Sequence, residues 1–318
     1  MSQPAEITGV GTGAATRQHR LWELLRRFAR EKRIGAISGI LVLLFLLVGI
    51  FADLLAPYGL RDQELSRRLL PPSAEWPLGT DQFGRDQLSR VIHGARVSMV
   101  VGIASSALTI VVAMALGLLC GYWGGAFDLI VQRFVDAWLT FPWLFIVLTV
   151  MSILGPGLLQ VILVLGISSG IGNTRTVRSV VLSVREAMYV QSARAVGAAT
   201  FRILWRHIAP ELIAPMIVLF TVSLGGNIIA EATLSFLGYG IPPPQPSWGG
   251  MLSIEGRQYM LQAPWLAFWP GLCLALVVYG ANMFGDALRD LLDPRLLGGA
   301  GRFGTTRRAK PLTPTARA

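Results

Sequence analysis

The run ILVLLFLLVGIF, Ile40 to Phe51, contains no charged residue, and five more apolar runs follow it along the chain. A helix that crosses a bilayer needs ~20 mostly apolar residues. Six stretches meet that requirement, at about 34–55, 97–121, 134–154, 157–173, 212–235 and 265–287. In lipid each backbone N–H and C=O must be satisfied within its own segment, so these runs are expected to be helices. The expected fold class is an all-α polytopic membrane protein with six transmembrane helices. The fourth stretch is short, rich in Gly and Ser, and parted from the third by LGPG at 154–157, a tight turn.

Composition agrees. Of 318 residues 53% are hydrophobic and 14% charged, against roughly 25% charged in a soluble protein. Lys and Arg number 28 and Asp and Glu 18, a net charge of +10. The arginines gather at the ends of the apolar runs, so the excess reads as membrane topology, and no nucleic-acid partner is expected. Cys120 and Cys273 each lie inside an apolar run and read as small packing hydrophobes. The first apolar run begins too far in for a cleavable signal peptide and is expected to be retained.

The organisation follows from these segments. Residues 1–33 form an N-terminal tail whose end, RLWELLRRFAREKR, is a basic amphipathic helix suited to a membrane surface. A first span at 34–55, an external loop at 56–96, a core at 97–288 and a C-terminal tail at 289–318 complete the chain. Seven Lys or Arg precede the first span, six lie in 173–211 and seven in 288–318, whereas 237–264 holds Arg257 alone. The positive-inside rule puts both tails and the 173–211 segment in the cytoplasm, with 237–264 outside. The 56–96 loop strains the rule with six arginines, but it also carries five acids and is long. Small-xxx-small pairs, Gly117/Gly121, Gly121/Gly125 and Gly166/Gly170, are expected to let helices approach closely.

Several chemistries are missing. Lys32 and Lys310 follow Glu31 and Ala309, so neither belongs to a P-loop. The segment GISSG, 166–170, matches the nucleophile-elbow pattern around Ser168 but lies in an apolar run, with no His in any span. No HExxH or CxxC metal or redox signature occurs, and no cofactor, metal or catalytic residue is expected. Ionisable and strongly polar side chains within spans are few. Asn227 and Glu231, one turn apart in the fifth span, are the candidates for a translocation path. Arg133 and Asp136 can pair at i,i+3.

The segment QSARAVGAATFRILWRHIAP, Gln191 to Pro210, breaks this apolar monotony. Residues 183–196 lack Gly and Pro and can form a helix, Gly197 can end it, and Thr200 can N-cap a second short helix that stops at Pro210. A rigid helix-turn-helix finger of this kind, within the segment 183–211, suits transmission of force from a soluble partner.

At these residues the chain resembles the EAA loop of ABC-importer permeases, in which EAA is followed by three residues, Gly, nine residues and I-x-L-P. Gln191, Ser192 and Ala193 stand at the EAA positions, Gly197 follows at the same spacing, and His207, Ile208, Ala209 and Pro210 close the pattern. Gln191 replaces the acidic residue, so contact with an ATPase is expected to use shape together with polar groups such as Arg194 or Glu186. Three further stretches, PLGTDQFGRDQLSRVIHGARVS (77–98), EATLSFLGYGIPPPQPSWGGML (231–252) and GDALRDLLDPRL (285–296), resemble the dipeptide, oligopeptide and nickel permeases, C-type subunit.

The resemblance implies a type I importer permease paired with a homologous second permease, two cytoplasmic ABC ATPases and an external solute-binding protein, all around membrane lipid. It makes the finger the coupling element and 237–264 a re-entrant or interfacial scaffold facing the binding protein. Di- and oligopeptides are the cargo it favours, with nickel, glutathione, opines and oligosaccharides as alternatives. Two other classes remain open at this point: an ATP-independent channel or secondary carrier, and an intramembrane hydrolase built on Ser168.

Overall fold

The structure, a computed structural model, describes residues 32–292. The expected amphipathic helix at 20–33 and both tails therefore lie almost wholly outside the described residues. The elements are helical, in the order α1 (Arg33–Ile50), α2 (Ala52–Leu55), α3 (Gln87–Trp123), α4 (Gly125–Thr140), α5 (Trp143–Leu154), α6 (Leu158–Arg185), α7 (Met188–Ala195), α8 (Thr200–Ile203), α9 (Ala209–Phe236), α10 (Trp248–Met251) and α11 (Trp265–Leu292). Among the described residues five helices are long and apolar enough to cross a membrane, and six if the bent pair α4–α5 is one span.

Two glycine-lined seams hold the centre together. Without a hydrophobic driving force between helices in lipid, close van der Waals approach has to supply the attraction. A Cβ on Gly117 would lie 2.5 Å from Val177 Cβ, and one on Gly121 2.7 Å from Val181 Cβ. Nearer the other end the donor and receiver exchange roles: Gly166 faces Leu108 and Gly170 faces Val112, the latter at 2.5 Å. Residue numbers rise together along both helices, so α3 and α6 run parallel. Two of the three small-residue pairs read from the sequence thus build this seam.

Parallel neighbours require the chain to return between them, and α4–α5 does so. Arg178 binds Asp128 of α4 through Nε at 2.6 Å, and Arg175 pairs with Asp136, which Arg133 also approaches at 3.5 Å. Further along, Val147 and Met151 of α5 pack with Val161, Val164 and Leu165 at the start of α6. The pair therefore climbs α6 from end to end, a rise of about 42 Å for 28 residues, and makes a broken third crossing. Its 92° bend falls at Phe141–Pro142, where the residue before proline is extended. The continuous helix expected over 134–154 is corrected accordingly.

The remaining crossings complete an even count. The α1 and α11 helices are antiparallel, with Gly280 against Val42 and Gly39 against Phe284. Lys32 Nζ meets Asp290 Oδ2 at 2.6 Å, so both ends of the described chain share one face, here called the terminal face. The loops 186–199 and 124 open onto the same face, and 51–86 and 237–264 onto the opposite one. Two further boundaries move. The second span begins at Gln87, where Asp86 caps α3 by accepting from Ser89 N–H at 2.8 Å, so the expected 56–96 loop ends ten residues early. The fourth span is 28 residues long, reaching Arg185.

Replacing Gly117 or Gly170 with Leu is expected to cost about 1–3 kcal/mol by overpacking and to lower the melting temperature of the detergent-solubilised chain. Gly226→Ala, where a Cβ meets nothing within 4 Å, serves as the neutral comparison.

Candidate functional site

The finger on the terminal face is rooted and then left bare. Its inward side chains Val190, Ile203, Ile208 and Leu212 are buried with Val177 and Val181 of α6. Its outward ones are large and apolar: Met188 is 83% exposed, Val196 84%, Phe201 71% and Trp205 60%. Outside a bilayer, a cluster like this marks a surface that a partner covers. Phe201 and Trp205 are in ring contact at 6.1 Å, one turn apart.

Backbone geometry fixes how the finger folds. After α7, Gly197 N–H donates to Arg194 O at 3.0 Å and Ala198 N–H to Ala193 O at 3.1 Å, the two bonds of a Schellman turn. Gly197 has φ +79°, a left-handed value that any other residue adopts only with strain. Two expectations are corrected here. Thr200 does not cap the second helix: Ala199 occupies the cap position and no side chain bonds there. Nor does that helix stop at Pro210. A π-turn over Leu204–Ile208 joins α8 to α9, so Thr200–Phe236 is one 37-residue rod with Pro210 just inside α9. The first half is also shorter than expected, because Glu186 and Ala187 separate α7 from α6.

The residues singled out from the sequence come together in part. Gln191 Nε2 donates to Glu186 O at 3.1 Å, and the Glu186 carboxylate accepts from Arg185 Nε at 3.1 Å. Arg185 also caps α3 by donating to the Gly121 and Tyr122 carbonyls, while Arg194 lies over the Tyr122 ring at 5.4 Å. His207 faces the Tyr189 ring at 6.4 Å. Burial, with Glu211 nearby, pushes the Tyr189 phenol above its ordinary value and keeps it neutral. Gln191, Ser192, Arg194 and Gly197 are exposed, and Ala193 is half-buried.

Asn227 and Glu231 lie far along the same rod. Asn227 donates to Ser106 Oγ at 3.1 Å and accepts from Ser169 Oγ at 3.2 Å, tying α9 to α3 and α6. Within the single chain both side chains are buried.

On the opposite face a folded cap covers the helix ends, and sequence reasoning did not foresee its density. Asp81, fully buried, accepts from the backbone N–H of Phe83 and of Arg85, from Arg85 Nε at 2.5 Å, and meets Arg90 Nε at 3.3 Å. Gly84, at φ +72°, sits where a Cβ would overlap the Glu64 carbonyl. The spacing Gly-Thr-Asp-x-x-Gly-Arg-Asp was the available signal. Trp248 plugs the bundle beneath, fully buried, donating through Nε1 to Val91 O at 3.0 Å and meeting Phe45 edge-on. This indole seats the 237–264 segment on the helix bundle.

Residues 113–298, more than half of the chain, match the family described as binding-protein-dependent transport system inner membrane component. The chain belongs to this family. Residues 20–72 match the N-terminal TM domain of oligopeptide transport permease C. Among curated relatives, the dipeptide transport system permease protein DppC of Alkalihalophilus pseudofirmus is 38% identical over 275 residues, 86% of this chain and 90% of its own. The glutathione transport system permease protein GsiD of Pectobacterium atrosepticum is 39% identical over 276 residues, covering 86% and 91%. A chain of the MetNI methionine ABC transporter, solved in inward-facing conformations, shares the fold at TM-score 0.52 and 17% identity, over 64% of this chain and 96% of its own. The chain is accordingly a multi-pass permease component of the bacterial inner membrane. It is non-catalytic, and its family works with separate ATPase and binding-protein subunits.

Trp248→Ala is expected to destabilise this permease by about 3–5 kcal/mol, read as a fall in melting temperature. Trp123→Ala, at a site 57% exposed, should leave it nearly unchanged.

Proposed function

We infer that the permease imports di- and oligopeptides as one half of a heterodimeric pore, with two cytoplasmic ATPases and an external binding protein. The terminal face is the cytoplasmic one, by the arginine bias of 173–211 and both tails. The finger Gln191–Pro210 is the coupling element. The observation that carries this reading is the set of exposed apolar side chains, Met188, Val196, Phe201 and Trp205, on a base packed against α6.

The absence of a continuing Glu at position 191 fits a docking mode based on shape. Gln191 turns back to the Glu186 carbonyl, which leaves the apolar side chains and Arg194 to meet the ATPase. ATP-driven closure of the ATPases draws the two fingers together. Because the rod from Thr200 to Phe236 is continuous, a tilt at Trp205 is carried about 45 Å to the outer end, where Phe236 leads into the hairpin that seats Trp248. The pore then opens to the binding protein, and hydrolysis resets it. Peptide cargo is supported by the relatives named for dipeptide transport; glutathione, itself a tripeptide, is the second reading, favoured by the relative named for it.

Two measurements test this reading. Phe201→Ala with Trp205→Ala should weaken co-purification of the ATPase subunits at least about tenfold, since apolar anchors are typically worth 1 kcal/mol or more each, while the chain stays folded. Transport that survives deletion of 191–206 sinks the coupling assignment. Thermal-shift screening of the cognate binding protein against dipeptides, longer peptides, glutathione and nickel should give its largest shift with a peptide. A response to nickel alone overturns the cargo.

A further inference from the structure

The finger carries a positive charge that no described residue balances. Residues 187–210 contain Arg194, Arg202 and Arg206 and no Asp or Glu. Around the base of the finger the arginines are paired: Arg133 and Arg175 with Asp136, Arg178 with Asp128, and Arg185 with Glu186. Arg202 and Arg206 are exposed and make no ion pair or hydrogen bond among the described residues. Arg194 is exposed as well and rests on the Tyr122 ring. Glu186 is engaged by Arg185, and Glu211, in the first turn of α9, pairs with neither Arg202 nor Arg206.

The position of these charges matters as much as their number. Arg202 follows Phe201 and Arg206 follows Trp205, so a cation and an exposed ring come together twice, one turn apart. Cations one turn apart on a helix repel each other. A partner without acids leaves that repulsion in place and adds the cost of desolvating both groups. Opposed carboxylates remove both costs, and the planar guanidinium fits a carboxylate through two parallel hydrogen bonds. The bare apolar side chains lie on both limbs of the finger, Met188 on α7 and Phe201 on α8, with Val196 between them. An amphipathic helix on a lipid surface buries one face; two limbs bare together fit a groove in a protein.

We propose that the ATPase groove that receives this finger is acidic, with carboxylates set against Arg202 and Arg206 beside the sockets for Phe201 and Trp205. The acidity of the partner rests on the finger being the coupling element. Apolar contact supplies the hold and charge supplies the choice, because a groove lined by basic or neutral groups is disfavoured. Where two different ATPase subunits are available, this selects the one that sits beneath this chain.

The test uses the full chain in detergent with its co-isolating subunits. ATPase retention is followed as sodium chloride rises from about 0.1 to 1 M, over which the Debye length falls from about 10 to 3 Å. Wild-type affinity is expected to fall at least about tenfold across this range. Arg202→Gln with Arg206→Gln should bind about threefold or more weakly at low salt and respond to salt less than about twofold. Arg202→Lys with Arg206→Lys should keep the salt response, and Arg202→Glu with Arg206→Glu should bind about a hundredfold more weakly at low salt and recover as salt rises. If the Glu pair does not assemble, the Gln and Lys pairs decide. A Gln pair that matches the wild type in affinity and salt response overturns the acidic groove. In that event docking itself survives if Phe201→Ala with Trp205→Ala still releases the ATPases, and falls too if that variant holds them. Binding to phosphatidylglycerol vesicles that is lost in the Gln pair, with ATPase retention unchanged, makes the occupant a lipid headgroup and also overturns the groove.

Discussion

Everything else in the bundle is arranged around the contact between α3 and α6. In lipid, two helices gain little by merely touching, because acyl chains offer the same apolar environment. The glycines change that balance by letting the valines of the opposite helix reach the backbone, first in one direction and then in the other. The contact also forces the chain path. Since the two helices are parallel, the intervening segment has to cross the full height of α6, and it does so as two pieces joined at Pro142. Arg175 and Arg178 hold α4 by Asp136 and Asp128.

Much of this was legible beforehand, and what was missed has physical causes. Apolar runs gave the crossings because length and composition alone decide whether a helix can span. They could not reveal the bend at Phe141–Pro142, since the run stays apolar through it. Polar residues such as Arg90, His93 and Arg96 made 87–96 look like loop, although Asp86 and Ser89 form a cap pair readable from sequence. Gly197 was identified correctly because a positive φ has a strong residue preference. Pro210 misled: a π-turn relieves the ring's clash with the preceding turn, and such turns have no sequence signature. The network of Asn227, Ser106 and Ser169 joins three helices and is invisible to any local pattern.

The two faces of the permease are built on opposite principles. On the terminal face, apolar side chains stand in the open on a well-anchored base, an arrangement that gives affinity to whatever covers them. On the other face, polar groups are pulled inside: Asp81 with Arg85 and Arg90, and Glu231 with Ser235. Around these buried groups the same face still presents exposed charges, Arg61, Asp62, Glu64 and Glu75 among them, together with its proline-rich loop. Binding is thus provided by bare surface on one side and shape by buried polarity on the other.

The unbroken rod from Thr200 to Phe236 has a thermodynamic corollary. The finger's second half and the fifth crossing are one helical run, with a π-turn at Leu204–Ile208 and Pro215 as its two points of bending, so movement of the finger and of the outer hairpin are linked through it. A protein that grips the finger better in one tilt must shift the hairpin by that difference in affinity, and linkage makes the influence equal in reverse. Under the proposed docking of an ATPase on the finger, occupation of the hairpin face would tune that hold through the one helix that touches both.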